Sequence, residues 1–177
     1  GVPTSSDNAN VTSSTTVGQN ANITAPAAEA ADVNIDRNMN FVTVSSGGTL
    51  DVSGTLSVGQ ANGGSGFIVF PNASATIGTL NISTGAGGSN FVTVDGTAAV
   101  LNVTNATVGL SADGILIVRN DGVLNVNGGT GTLTVGSGGD GTLYIGNGGT
   151  PGTVNAATVH LGTTGSSIRF DGCCGGT

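Results

Sequence analysis

Six aspartates, Asp51, Asp95, Asp113, Asp121, Asp140 and Asp171, are the carboxylates best placed to do acid–base chemistry in this sequence. Cleaving a glycosidic bond takes clustered carboxylates, with Arg, Lys or Ca²⁺ beside them, on one outward face. Most of these six stand next to Gly, where Asp forms turns by bonding nearby backbone. Corners are the expected role, and catalysis is not. His160, the one histidine, alternates with Val159 and Leu161 and should face solvent. It has no second His and no Cys or carboxylate at ligand spacing. The string GSGGDGT from Gly136 shares residue types with the nonapeptide that binds Ca²⁺ in β-rolls, but it does not recur every nine residues. No nucleophile-elbow string occurs, and one His gives a hydrolase triad little to draw upon. The expectation is a chain with no catalytic residues, no cofactor and no metal ligands.

The elements that would have to position any site are constrained by composition. Of 177 residues 33 are Gly, aromatics make up 3% and charged residues 7%. So few aromatics fill a spherical core badly, and a repetitive core is the expected solution. Lys is absent, and Arg37, Arg119 and Arg169 stand against ten acids for a net charge of −7, so the basic footprint that nucleic acid requires is missing. An anionic membrane surface is disfavoured for the same reason, and no apolar run is long enough to insert into a bilayer. The N-terminus lacks a basic segment followed by a hydrophobic one, so a mature form or an excised fragment is expected. Cys173 and Cys174 are adjacent and cannot staple distant parts of the fold unless they pair outside the chain. Their redox state stays open between a vicinal and an intermolecular bridge. Six Asn-X-Ser/Thr sequons begin at Asn10, Asn22, Asn72, Asn81, Asn102 and Asn105, a number that chance explains in so Asn- and Thr-rich a chain.

Short alternating strings return about every 25 residues: FVTV from Phe41, FIVF from Phe67, FVTV from Phe91, ILIV from Ile115, TLYI from Thr142 and SIRF from Ser167. Two further strand-like strings lie between successive anchors, as in GTLDVSGTLSVG from Gly48. Period-two alternation assigns an inward set, Val42/Val44, Ile68/Phe70, Val92/Val94, Leu116/Val118, Leu143/Ile145 and Ile168/Phe170. Leu50/Val52, Leu56/Val58, Leu80/Ile82, Leu101/Val103, Leu124/Val126, Leu133/Val135 and Val159/Leu161 join them. Three short strands per period, with inward aliphatics and Gly at corners, predict an all-β fold, a right-handed parallel β-helix of about six coils and roughly 29 Å length at ~4.8 Å per strand. An antiparallel sandwich of hairpins competes, because Asp-Gly and Asn-Gly pairs also suit hairpin turns. Residues 1–40 are expected to form a degenerate first coil and cap, with APAAEAAD from Ala25 as a short helical turn over the open end. Residues 41–170 form the repeats, and 171–177 a tail truncated from a longer chain.

The strings GTLSVGQANGGSG (54–66), GTLTVGSGGDGTLYIGNGGT (131–150) and GTVNAATVHLG (152–162) resemble the repeat associated with type V secretion and PEP-CTERM proteins. That is a Gly/Thr-rich β-strand unit of bacterial autotransporter passengers. The resemblance covers about residues 41–170 and implies a segment exported through the outer membrane and displayed at the cell surface or secreted. There it would serve as a rigid β-helical rod for adhesion or self-association. The family pattern carries no catalytic residues to transfer. Its translocator barrel has no counterpart in this sequence.

On the outward side of the anchor strands, Phe41, Phe67, Val69, Phe91, Ile115 and Ile117 are expected to stack as an apolar stripe, with Tyr144 and Arg169 at a more polar end. Such a stripe marks a contact surface for an identical copy, a host or cell-surface receptor, or a glycan, unless residues 1–40 fold across it. A second outward row carries Thr55, Thr79, Thr132 and Thr158, beside Ser57, Asn81, Thr134 and His160. Two alternative functions follow: a polysaccharide-degrading or polysaccharide-binding β-helix, and an ice-binding β-solenoid. Thr ladders also suit any sheet.

Overall fold

The computed structural model describes residues 4–12, 20–36, 40–60, 64–85, 88 and 90–172. Its strands in chain order are β1 (Asn8–Thr12), then β2 (Asn20–Ile23), β3 (Ala28–Ala30) and β4 (Asp32–Asp36) in the first coil. Three coils follow: β5 (Phe41–Val44) with β6 (Thr49–Val58), β7 (Gly66–Val69) with β8 (Ser74–Ile82), and β9 (Asn90–Asp95) with β10 (Val100–Val108). The last coils are β11 (Gly114–Arg119), β12 (Val123–Val126) and β13 (Thr132–Val135), then β14 (Gly141–Gly149), β15 (Thr153–Asn155) and β16 (Thr158–Leu161), and β17 (Ser167–Gly172). Every named strand pairs in parallel with its counterpart one coil away. The chain is thus a right-handed parallel β-helix of about six turns, and the hairpin alternative is excluded.

The anchor strands build a seven-stranded sheet in the order β17-β14-β11-β9-β7-β5-β2, and the remaining strands a second sheet of ten. In β6, β8 and β10 the ten-stranded sheet turns a corner inside one continuous strand. Gly78 sits at such a corner, where a Cβ would lie 2.6 Å from the carbonyl oxygens of both Ser53 and Gly54, so only a residue without a side chain lets successive coils approach. The turns after the anchor strands place Asn72, Asn120 and Asp121 at φ 60°, 53° and 65°, a left-handed conformation that Asn and Asp tolerate.

The bore is lined by files of aliphatics. Val11, Ile35, Val58, Ile82, Val108, Val135 and Leu161 form one, and Ile23, Val44, Val69, Val94, Val118, Ile145 and Phe170 another. Burying an aliphatic side chain contributes ~1.5–3 kcal/mol, and each coil gains it only by stacking on its neighbours. At the far end of these files Leu161 is 46% and Phe170 75% exposed, because no described coil lies beyond them.

Two sequence expectations need correction. The inward pair of the FIVF segment is Phe67 and Val69, both 0% exposed, with Ile68 and Phe70 half-buried on the outside. The string APAAEAAD forms no helical turn; its residues 28–30 are β3, paired with β6, because the ladder edge offers Ala28 and Ala30 an inward position against Leu50 and Val52. Among the described residues of the segment 1–40, β2 stands in register against β5. Cys173 and Cys174 lie outside the described residues.

Candidate contact surface

The outward face of the seven-stranded sheet follows from its register. One file runs Phe41, Gly66, Phe91, Ile115, Thr142 and Ser167, and the next runs Thr43, Ile68, Thr93, Ile117, Tyr144 and Arg169. Gly66 interrupts the first file. A Cβ on it would lie 2.8 Å from the Phe41 ring and 2.7 Å from the Phe91 ring, so the missing side chain lets the two rings close over the backbone at a centroid distance of 5.8 Å. Of the stripe expected from sequence, Phe41, Phe91, Ile115 and Ile117 are half-buried on this face, while Phe67 and Val69 point into the bore. Ile68 and Phe70 stand in their place.

The result is a shallow groove of about 320 Å³, floored by Ile68, Phe70, Phe91, Thr93, Ile115 and Ile117 and bounded by Asp95 and Arg119. Arg119 donates from Nε and Nη2 to Asp95 Oδ2 at 3.0 and 2.8 Å, and Asn120 Nδ2 donates to Asp95 Oδ1 at 2.7 Å. Arg119 Nη1 reaches the Asn147 carbonyl at 3.4 Å, so the rim ties three successive turns together. The pair is only partly shielded, at 34% and 17% exposure, so its contribution to stability is modest. Further along the face the Arg169 guanidinium lies over the Tyr144 ring, 5.6 Å from its centroid. Sequence reasoning missed Ile68, Phe70 and the Asp95–Arg119 rim. Even spacing was the available signal, since Phe41, Gly66 and Phe91 stand 25 and 25 residues apart, whereas anchoring on Phe67 gives 26 and 24.

The other chemically capable residues do not gather. Asp113 and Asp140 are neighbours at a loop, where Asp113 Oδ1 accepts from the Asp140 amide at 3.2 Å and Asp140 Oδ1 accepts from Thr163 Oγ1 at 2.8 Å. Asp51 is exposed in β6, Asp121 occupies a turn, and Asp171 is exposed in β17. His160 is exposed in β16, in register with Thr134. Among the described residues no three His, Cys, Asp or Glu side chains come together as a metal group. Comparison with family models, curated proteins and solved structures finds no match to this chain.

Proposed function

We propose that this chain is a non-enzymatic, rigid β-helical rod of a bacterial cell-surface or secreted passenger, acting in adhesion or self-association through the outward face of its seven-stranded sheet. The observation that carries this reading is the apolar groove along Ile68, Phe91, Ile115 and Ile117, which continues across coils on the outward face of the seven-stranded sheet. Contiguous outward apolar residues on a regular surface favour contact with another macromolecule. The aspartates support a role in architecture. Asp32 accepts from the Thr55 amide at 2.7 Å, Asp95 binds Arg119, and Asp113 accepts from the Asp140 amide, each tying one coil to the next.

Sedimentation velocity across a concentration series tests the self-association part. The expected result is a concentration-dependent shift for the wild type that Ile68→Ser and Phe91→Ser reduce. Identical, purely monomeric profiles for all three would remove it. A depolymerisation screen against acidic and neutral glycans with added Ca²⁺ is expected to show no product, and release of oligosaccharides would favour the enzyme alternative.

A further inference from the structure

The solenoid carries a second regular face that the apolar groove does not use. It is built from the latter halves of β6, β8 and β10 together with β13 and β16. Register places Thr55, Thr79, Asn105, Thr132 and Thr158 in one outward file, and Ser57, Asn81, Thr107, Thr134 and His160 in the file beside it. Parallel strands hold these side chains ~4.8 Å apart along each file and ~6.6 Å apart between the files. These five rows contain no carboxylate, no Lys or Arg and no Phe, Tyr or Trp, and one coil earlier the files run into Asp32, which accepts from the Thr55 amide, and Asn34, which donates to Asn10 Oδ1.

Not one of these ten side chains makes a hydrogen bond to the rest of the described chain, although ladder spacing permits such bonds. The adjoining face shows this. There Asn125 Nδ2 donates to Asn102 Oδ1 at 2.9 Å and Asn155 Nδ2 to Asn125 Oδ1 at 2.7 Å. Ser57, only 7% exposed, is the buried member at the β6 edge of the grid. The other nine side chains therefore present, on a regularly spaced backbone, a two-dimensional repeat of donors and acceptors to whatever lies outside. Where Thr recurs, each hydroxyl is accompanied by a methyl, beside which water must bond to other water.

We propose that this face binds ice, with its two files ordering a layer of water that merges with the crystal. A neutral polysaccharide fibre also presents a repeating set of hydroxyls. Sugar rings pack on aromatic platforms, however, and this face has none, so the lattice of water is the better fit.

Thermal hysteresis of the 177-residue chain, with the habit of the growing crystal, tests the proposal. Expected is a gap between melting and growth temperatures that widens with protein concentration, together with faceted crystals. The Thr107→Lys/Thr134→Lys double variant should fall to the level of buffer, whereas Arg169→Ser, exposed on the other sheet and outside the groove, should keep the wild-type gap. Asn105→Lys changes an exposed position and gives a second variant should the double variant fail to fold; it too should narrow the gap. A wild type with no hysteresis overturns the proposal, as does a folded Asn105→Lys or double variant with a full gap. Sedimentation with microcrystalline cellulose in the absence of hysteresis overturns it as well, assigning the face to a polysaccharide.

Discussion

Asn90 is wholly buried, and its amide joins three turns of the solenoid. Its Oδ1 accepts from the Ser65 amide at 3.0 Å, its Nδ2 donates to Ser83 Oγ at 3.2 Å, and Ser83 Oγ donates to the Asp113 carbonyl at 2.6 Å. Gly59, at φ +75°, packs directly against that amide, where a Cβ would overlap it. Asn90→Ala leaves the Ser65 N–H buried without an acceptor, so a loss of about 1–3 kcal/mol is expected in urea unfolding, with an unchanged strand signal by circular dichroism. At the N-terminal end, hydrogen bonds from Thr4 Oγ1 and the Thr4 amide to Asp7 Oδ2 hold the Asp7 carboxyl below its ordinary value. The local turn is accordingly stabilised above the pKa of an unstructured Asp and loses that support as pH falls through the depressed native value. A carbon-detected NMR titration should find Asp7 titrating lower than in Thr4→Ala.

At the scale of the element, the strand β7 separates two descriptions of the same four residues. If Phe67 fills the bore, Phe67→Ala costs about 3–5 kcal/mol. Ile68→Ala, on the half-buried outer face, should cost clearly less, and a pair of denaturant midpoints decides the matter. Most strands declared their faces in the sequence because polar and apolar residues alternate in them, as in TLDV and LNVT, and Leu50, Val52, Leu101 and Val103 are all buried as expected. The FIVF segment could not, since both its faces are apolar and a one-residue slip leaves the pattern looking intact. An alignment on Phe puts Phe67 in the file of Phe41 and Phe91, a place that Gly66 holds because a side chain there would meet both rings. The segment 25–32 departs from its expected helical turn for a related reason. Alanines favour a helix in isolation, but a ladder edge waiting for a strand outweighs a propensity of a few tenths of a kcal/mol per residue. The outward grid is more legible, and only Asn105 and Thr107 escape the Thr rows, because Asn stands where the other rows have Thr.

For the whole molecule, cooperativity runs along one axis. Inner coils hydrogen-bond on both sides, whereas β1, β2, β3, β15, β16 and β17 have a described neighbour on one side only. Amide exchange should therefore be slowest in β8 and β10 and fastest toward β17, where Phe170 is largely exposed. A uniform exchange profile would contradict this nearest-neighbour account. The unbroken match of Gly66–Val69 with Phe91–Val94 has a further consequence. Since residues 66–90 leave the chain one storey higher and facing the same way, copying that stretch in tandem should insert a floor without disturbing those above or below. Length then changes in fixed increments of ~4.8 Å, set by strand spacing. Genes for such molecules can grow or shrink by whole storeys, with no other part of the building redrawn.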